Sequence, residues 1–373
     1  MRIAIDATVL DRKMTGTGRY LLNLLKEIPL QDHQHDYFLF SRKKLPVDSN
    51  FFISIPVGPD FLPEKLFSIV WLNLIFPIYI RKFGIDLVLS PNLLTPSNVP
   101  EKVKTISVVH DVIFRIYPEC YSFLYRIYLA IFLPASLRRS DKIITVSECA
   151  KQDIVDTYGI ESKKLEVIYN TVSETLAHDS GSIFDKTDAS LEGLLPKKYI
   201  LYVGVLEKRK NIKGLLQVVD ILIKKNTGLK LVLVGRPGYD FKAINREMKK
   251  RESSIVYLNS LSDVELNYVY QRAFAFIFPS LYEGFGIPPL EAMSKGIPVV
   301  VSNSSSLPEV VGSGGLLREP SDYAGFAEDI LKLETQPELY SQMKKKALDQ
   351  SKKFNIADET KKLIRTFNET YSL

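Results

Sequence analysis

The first half of the chain alternates short apolar runs with segments of helical periodicity. Between Tyr20 and Ile28, apolar residues recur three or four positions apart, which predicts a helix that Pro29 should end. Short apolar runs that predict strands lie at Ile3–Ile5, Tyr37–Phe40, Leu87–Leu89, Thr105–Val109, Lys142–Val146 and Leu165–Ile168. Strands that alternate with helices are typical of a parallel sheet covered on both faces.

The pattern lapses from Ser173 to Pro196 and then restarts. Strands are predicted at Tyr199–Val203, Lys230–Val234, Ile255–Leu258, Phe274–Phe278 and Val299–Val301. Helices are predicted at Ile212–Lys225 (with Asn211 as its cap), Tyr239–Lys250, Ser262–Gln271 and Pro289–Lys295, followed by a charged helical tail from Pro337 to Asn368. The second half therefore repeats the α/β pattern of the first.

Two doubly wound, Rossmann-like domains are the simplest architecture for this pattern. A length of 373 residues fits two domains of ordinary size. We predict an amino-terminal domain over 1–173, a linker over 174–196 and a second domain over 197–350. The remaining residues, 351–373, predict a carboxyl-terminal helix that can cross back to the first domain.

Composition narrows the class of protein without naming its ligand. The chain is 46% hydrophobic and 25% charged, with a formal net charge of +6, which suits anionic ligands or acidic lipid surfaces. Nucleic acid is disfavoured, because no zinc finger, RNA-binding signature or long arginine run is present. Cys120 and Cys149 lack metal-ligand spacing, and their number fits a reducing cytoplasm. The first residues do not resemble a signal peptide.

Two apolar stretches with basic margins raise the question of membrane contact. Leu66–Ile80 is followed by Arg81 and Lys82, and Ile127–Leu137 lies between Arg126 and Arg138. Both are shorter than the roughly 20 apolar residues of a spanning helix. They could rest on a membrane surface, or they could be ordinary buried helices.

The first chemical motif follows the strand Phe274–Phe278. Gly284 and Gly286 let the backbone approach a ligand, and Pro289 marks the start of a helix whose free amides attract an anion. Glu283 and Glu291 bracket this loop, the second in the first helical turn, and their carboxylates can accept hydrogen bonds from sugar or ribose hydroxyls. A plain strand-turn-helix with a capping glutamate is the alternative.

The second motif places Gly204 and then Lys208, Arg209 and Lys210 after the strand Tyr199–Val203. Open α/β sheets bind ligands at the carboxyl ends of their strands. These cations could hold a pyrophosphate through charge-assisted hydrogen bonds and stabilise it as it leaves. A solvated basic loop is the alternative.

Two weaker signals lie in the first half. Gly16 and Gly18 suit a loop that approaches phosphate or sugar, but Leu21 replaces the third glycine of a dinucleotide fingerprint. His110 follows the strand Thr105–Val109, where it could bind a sugar hydroxyl or move a proton. A lone histidine can equally be structural.

These motifs together make the chain resemble glycosyltransferase family 4, a large bacterial group of retaining enzymes with the GT-B fold. The similarity covers essentially the whole chain and is strongest from Tyr199 to Pro320, where YVGVLEKRKN, LVLVGRPG, FIFPSLYEGFGIPPLEAMSKGIPVV and SSLPEVVG resemble the family. The resemblance implies two domains that face across a cleft. It also implies a signature pair in Glu283 and Glu291, which have seven residues between them.

The resemblance also assigns roles to individual residues. Glu291 is expected to bind the ribose hydroxyls, Glu283 the donor sugar, and Lys210 the donor phosphates. Further donor contacts are expected near His110, Gly16, Gly18, Gly204, Gly284, Phe285, Gly286 and Ile287. Many members carry an arginine where this chain has Val205, so Arg209 is expected to supply the second charge.

The expected chemistry is front-face sugar transfer with retention of anomeric configuration. No Asp-x-Asp motif occurs in the sequence, so neither a metal nor another cofactor is expected. The donor is expected to be a nucleotide sugar, first of all GDP-mannose, and the acceptor a glycan or lipid-linked oligosaccharide of surface polysaccharide assembly. The enzyme is expected in the cytoplasm, where it can contact the inner face of the membrane. The oligomeric state is open.

Several alternatives remain open at this point. The donor could instead be UDP-glucose, UDP-N-acetylglucosamine or dTDP-rhamnose. The chain could be a nucleotide-sugar epimerase or a phosphorylase on the same fold. It could also be an inactive scaffold that binds nucleotide sugars without transferring them. A dehydrogenase is disfavoured by the broken glycine fingerprint.

Overall fold

The computed structural model describes residues 1–11, 14–58, 64–172 and 189–373. The chain divides into two compact units. The first unit contains residues 1–171 and 355–373, and the second unit contains residues 172–354. Each unit is built on its own parallel β-sheet.

The first unit has a seven-stranded sheet in the order β3-β2-β1-β4-β5-β6-β7. Its strands are β1 Arg2–Asp6, β2 Asp36–Ser41, β3 Ile53–Pro56, β4 Leu87–Ser90, β5 Lys104–Val108, β6 Lys142–Thr145 and β7 Leu165–Val167. The second unit has a six-stranded sheet in the order β10-β9-β8-β11-β12-β13. Its strands are β8 Tyr199–Val203, β9 Lys230–Val234, β10 Ile255–Leu258, β11 Ala275–Phe278, β12 Val299–Ser302 and β13 Gly315–Arg318.

Helices connect the strands in both units. In the first half of the chain they are α1 Gly16–Gln31, α2 Glu64–Val70, α3 Phe76–Lys82, α4 Ile113–Ile116, α5 Phe123–Arg139 and α6 Glu148–Tyr158. A π-helical turn, Trp71–Ile75, joins α2 to α3. The later helices are α7 Ala189–Leu194, α8 Ile212–Lys224, α9 Phe241–Lys249, α10 Asp263–Arg272, α11 Ile287–Ser294, α12 Leu307–Val311, α13 Tyr323–Thr335, α14 Pro337–Ser351 and α15 Ile356–Tyr371.

Burial explains why the central strands are apolar at every position. Ile3, Ala4 and Ile5 of β1 are all completely buried. Successive residues of a strand face opposite sides of the sheet, so both faces must be covered. On one face, Ala4 packs in a cluster with Trp71 and Phe76 from the helical region after α2. The expected α/β fold of two doubly wound parallel sheets is confirmed.

Edge strands are the elements that the apolar pattern missed. β3 lies at one edge of the first sheet and is largely exposed, and β13 at the edge of the second sheet is only partly buried. A strand with one free edge needs fewer apolar residues, so it leaves a weaker signal. The helices α12 and α13, which flank β13, also lie where the apolar pattern predicts no helix or strand.

Helix α1 differs from its prediction at both ends. It begins at Gly16, and the Thr15 side chain caps it by accepting the N–H of Gly18 at 3.3 Å. Gly16 and Gly18 therefore lie in the first helical turn, and the expected glycine loop was wrong. Pro29 lies inside the helix, which continues to Gln31. A proline so near the end removes one backbone hydrogen bond, and the burial of Ile28 offsets this loss.

The charged tail forms two helices that belong to different units. Asn355 is the last residue of the short connection between α14 and α15. Its side chain caps α15 by accepting the N–H of Ala357 at 2.8 Å. α15 packs against α1, where the Gln31 side chain donates to the carbonyl of Ala357 at 3.1 Å. Within the predicted linker, the last part forms α7, while 173–188 lie outside the described residues.

Candidate functional site

Two loops of the second unit carry most of the sequence-predicted site residues. The first leaves β8 and forms a short 3-10 turn, Lys208–Lys210, before α8. The second leaves β11 and ends where α11 begins. β8 and β11 are neighbours in a parallel sheet, so both loops leave the same edge and meet there.

A buried ion pair joins the two loops. The Nζ atom of Lys210 lies 2.6 Å and 2.7 Å from the two carboxylate oxygens of Glu283. A guanidinium nitrogen of Arg209 lies 3.3 Å from the same carboxylate, and the Ser280 hydroxyl donates to it at 2.5 Å. Because removal of charges from water is costly, a buried pair persists only when such hydrogen bonds surround it.

The surroundings lower the pKa of both partners of this pair. Burial raises the pKa of the Glu283 carboxyl, but the attraction of Lys210 and then Arg209 holds it below its ordinary value. Burial lowers the pKa of the Lys210 ammonium, and Glu283 opposes this effect only in part. Lys210 and Glu283 therefore form a salt bridge whose stability depends on each partner keeping its charge.

Arg209 holds the two loops together. Its guanidinium donates to the carbonyl of Tyr282 at 2.5 Å and to the Glu207 carboxylate at 2.8 Å. The Ser280 hydroxyl is also within 3.3 Å of the Arg209 carbonyl. The structure thus places Arg209 among protein acceptors, whereas the sequence suggested that it faces a ligand phosphate.

Glu291 occupies a separate position on α11. It is the fifth residue of a helix that begins at Ile287, so it lies in the second turn and not in the first turn expected from sequence. Its carboxylate is buried and accepts the hydroxyl of Tyr270 at 2.8 Å. Tyr270 on α10 therefore fixes the orientation of the second glutamate.

Backbone conformation explains the glycine that begins α11. Gly286 has φ +117°, and a Cβ atom there would lie 2.8 Å from a methyl group of Leu307. Two serines fix the preceding loop: Ser306 donates to the carbonyls of Glu283 and Phe285, and Ser305 accepts the N–H of Glu283 at 2.8 Å. Phe285 also packs edge-on against Phe354. Gly284 lies within this fixed segment, between Glu283 and Phe285.

A second glycine position brings two strand ends close together. Gly204 follows β8, and its N–H donates to the carbonyl of Val234 at 2.9 Å. A Cβ atom on Gly235, which follows β9, would lie 1.9 Å from the carbonyl oxygen of Gly204. Gly235 therefore permits this approach, and its role is visible in sequence only as the glycine of LVLVGRPG.

The remaining predicted residues lie in the first unit. The His110 ring packs edge-on against Tyr20 of α1, with ring centroids 5.1 Å apart. This contact places His110 beside the helix that begins with Gly16 and Gly18. Burial lowers the pKa of His110 to about 4, although a hydrogen bond to the backbone of Pro91 raises it. The imidazole is therefore neutral at physiological pH.

Sequence reasoning missed several residues that orient the predicted ones. These are Glu207 and Ser280 around the ion pair, Tyr270 beside Glu291, Ser305 and Ser306 under the loop, and Tyr20 beside His110. Ser280 and Glu207 had local signals, since Ser280 precedes Glu283 by three residues and Glu207 precedes Arg209 by two. The others had none, because their contacts depend on the order of strands and helices. Within the described ranges, no three acidic, histidine or cysteine side chains form a group able to hold a metal ion.

Comparison with known proteins agrees with this geometry. The family model "Glycosyl transferases group 1" matches residues 185–350, and "Glycosyltransferase Family 4" matches residues 14–176. The chain is 29% identical over 358 residues to the O-antigen chain mannosyltransferase B of Escherichia coli, covering 89% of this chain and 90% of that protein.

Solved structures share the fold over the whole chain. The sucrose-phosphate synthase of Thermosynechococcus elongatus has a TM-score of 0.76 and 18% identity, covering 100% of this chain and 99% of that one. Anabaena HepE, solved in complex with UDP and glucose, has a TM-score of 0.73 and 17% identity, covering 99% and 100%. Because the two family models match successive halves of this two-sheet chain, the protein belongs to the glycosyltransferases of family 4 and group 1, with the GT-B fold.

Proposed function

We propose that this chain is a retaining glycosyltransferase of surface polysaccharide biosynthesis that transfers a mannosyl unit from GDP-mannose. The acceptor is a glycan or a lipid-linked oligosaccharide, and the reaction requires no metal or other cofactor. The name and identity of the Escherichia coli relative support both the sugar and the pathway. The observation that carries the proposal is the buried Lys210–Glu283 pair at the carboxyl edge of the second sheet.

The ion pair suits a donor with a diphosphate beside a sugar. A lysine ammonium has three N–H donors, and Lys210 can turn one or more of them toward a phosphate oxygen. As it does so, Glu283 can accept a hydrogen bond from a sugar hydroxyl. Arg209 then acts mainly by holding both loops in place, which differs from the direct phosphate contact expected from sequence. Glu291, oriented by Tyr270, is available to the ribose hydroxyls.

The chemical step follows from charge neutralisation. The bond between the anomeric carbon and the donor phosphate oxygen breaks, and the acceptor oxygen attacks from the same face. The acceptor proton passes to the departing phosphate oxygen, so the products are a glycoside with retained configuration and a nucleoside diphosphate. Lys210 stabilises the charge that develops on this leaving group, which is commonly a large contribution to catalysis.

We place the first unit on the acceptor side and the enzyme in the cytoplasm. His110 is neutral and packs against Tyr20 of α1, so it can exchange hydrogen bonds with an uncharged hydroxyl. Two free cysteines, Cys120 and Cys149, are in keeping with a reducing compartment.

Product analysis tests this proposal. The purified protein is incubated with GDP-mannose, a mannose-terminated oligosaccharide and EDTA, and the anomeric configuration of the product is read by NMR. We expect an α-linked mannoside, formed equally well with and without EDTA, and its loss in the Lys210→Met variant. Transfer only from a UDP- or dTDP-sugar would replace the donor, an inverted product would refute retention, and tight donor binding without product would indicate a scaffold.

A further inference from the structure

Helix α5 of the first unit has an apolar exposed side. Five large side chains, which we call the apolar ridge, are between 41% and 79% exposed: Phe123, Leu124, Ile127, Ile131 and Phe132. Phe123, Ile127 and Ile131 follow one another at helical spacing and share one face. The opposite face, with Leu129, Leu133 and Leu137, is buried in a core cluster.

A helix that is apolar on all sides is normally enclosed by protein or lipid. In α5 the protein encloses only one side. Among the described residues, no helix is long and apolar enough to cross a bilayer. A ridge of this kind, exposed beside a packed core, is typical of a surface that binds a partner or a membrane.

A second exposed stripe lies in the neighbouring helical region. Leu74 and Ile78 are 63% and 61% exposed, and they share a face with Lys82 of α3. The loop that follows β4 connects the two regions, because Ser97 donates to the side chain of Asn73 and Thr95 bonds to Ser136 of α5. The apolar ridge and this stripe therefore belong to adjoining parts of the first unit.

The charges around these helices indicate which partner they fit. Residues 65–85 and 120–140 contain six lysines and arginines; the four acids that border these stretches, Glu64, Asp86, Glu119 and Asp141, leave an excess of six minus four, or two, positive charges over 64–86 and 119–141. Arg138 and Arg139 end α5 with exposed side chains. Within the described part of the chain, neither forms an ion pair with an acid. Cations beside inserted apolar side chains suit a surface of anionic lipid.

We propose that the apolar ridge and its flanking arginines dock the first unit onto an anionic phospholipid bilayer. The ridge side chains enter the boundary between headgroups and acyl chains, while Arg138 and Arg139 remain at the level of the lipid phosphates. Helix α5 lies in the plane of the interface and does not span the membrane.

Cosedimentation with lipid vesicles tests the proposal. The full chain is mixed at low salt with phosphatidylcholine vesicles, with or without phosphatidylglycerol. We expect binding to the anionic vesicles that weakens as salt is raised, and little binding to neutral ones. The triple variant Phe123→Ser, Leu124→Ser, Ile131→Ser should lose about 10³-fold in partition coefficient, because each inserted side chain contributes roughly a factor of ten.

Two further variants separate the contribution of the arginines from that of the apolar side chains. Arg138→Gln with Arg139→Gln should weaken anionic binding by roughly 25-fold, at about fivefold for each arginine, and should not alter the fold. As a matched control, Ile223→Ser, Val264→Ser and Leu348→Ser change three exposed apolar residues of the second unit. This control should bind vesicles like the unchanged protein, and thermal unfolding checks that all variants fold.

Three results would overturn the proposal. They are an unchanged protein that ignores anionic vesicles, a ridge variant that binds as well as the original, and a control variant that loses as much as the ridge variant. Sedimentation velocity adds a fourth, because a dimer that dissociates in the ridge variant would assign this face to a second copy. Vesicle binding needs neither donor nor acceptor, so its failure is distinguishable from failure of the proposed sugar transfer.

Discussion

The two sheets of this protein carry opposite kinds of polar groups near the carboxyl ends of their strands. In the second unit, Lys210 and Glu283 are buried as charges, and each has a close partner. In the first unit, His110 is neutral, with its pKa lowered to about 4. Buried hydroxyls nearby have no partner within the described residues: Tyr20, Ser90, Ser107 and Thr145.

This difference fits the two kinds of ligand that we propose for the two sheets. Paired charges in a low-dielectric site hold each other in position. When a donor binds, they can reorient toward its charged phosphate. An edge with a neutral imidazole, hydroxyl groups and the acidic Asp6 offers no strong attraction to phosphate but can exchange hydrogen bonds with an uncharged sugar. The contrast supports a donor site in the second unit and an acceptor site in the first.

The largest expected effect comes from breaking the buried pair. Lys210→Met should lower kcat by about 10²–10³, because phosphate neutralisation is lost. It should also lower the free energy of unfolding by about 3–5 kcal/mol, since the buried Glu283 loses its closest cation and keeps only the longer contact with Arg209. Chemical denaturation and steady-state kinetics measure the two effects.

A double variant separates these contributions. Lys210→Met with Glu283→Gln removes both charges, so stability should recover while turnover stays low. If turnover recovers together with stability, the ion pair serves the fold alone.

The next effect concerns the neutral histidine. Because the pKa of His110 is lowered from 6.5 to about 4 in the folded state, the unfolded chain binds its proton more readily. Stability is thus fully present above pH 6.5 and is lost as pH falls toward 4, by up to about 3 kcal/mol. Denaturation at a series of pH values should show that His110→Gln removes this part of the loss. An identical pH profile in the variant would contradict a buried neutral imidazole.

A smaller effect is expected from a tyrosine that has a partner. Tyr270→Phe deletes the hydroxyl that donates to Glu291, so the free energy of unfolding should fall by about 1–1.5 kcal/mol. Donor affinity should fall by roughly tenfold, because the carboxylate loses its orientation. Titration calorimetry measures the affinity, and unchanged donor binding would show that Glu291 does not contact the donor.

The smallest effect is expected from the matching tyrosine of the first unit. Tyr20→Phe removes a buried hydroxyl that has no partner, so stability should change by less than about 0.5 kcal/mol. The ring remains and still packs against His110. A loss as large as that of Tyr270→Phe would show that the Tyr20 hydroxyl also has a stabilising partner, which contradicts the difference between the two edges.

The sequence predicted the alternation of strands and helices well because most strands are central and apolar. It predicted Lys210 and Glu283 as separate motifs, but their contact spans 73 residues and depends on β8 lying beside β11. The sequence suggested that Arg209 faces phosphate. No local pattern shows that the Tyr282 carbonyl lies within hydrogen-bonding distance of the Arg209 guanidinium. In each case the missing information was the order of strands in the sheet.

The start of α1 and the exposed side of α5 could not be predicted, because the same local sequence pattern is compatible with two structures. Gly16 and Gly18 are typical of a loop, but Thr15 can equally cap a helix that begins with glycine. Helix α5 is apolar on every side, so its sequence does not show which side is buried and which is exposed. Packing against the sheet decides this point, and packing is not local.

Donor binding to the second unit can be measured without an acceptor. Thermal unfolding of the purified protein is followed with GDP-mannose, UDP-glucose, UDP-N-acetylglucosamine, dTDP-rhamnose and the free nucleotides, in EDTA, for the unchanged protein and for Glu291→Ala. Binding to the native state raises the melting temperature. We expect a selective rise with GDP-mannose that is largely lost in Glu291→Ala. No rise with any nucleotide sugar, or an equal rise in the variant, would contradict a donor site at the Lys210–Glu283 edge.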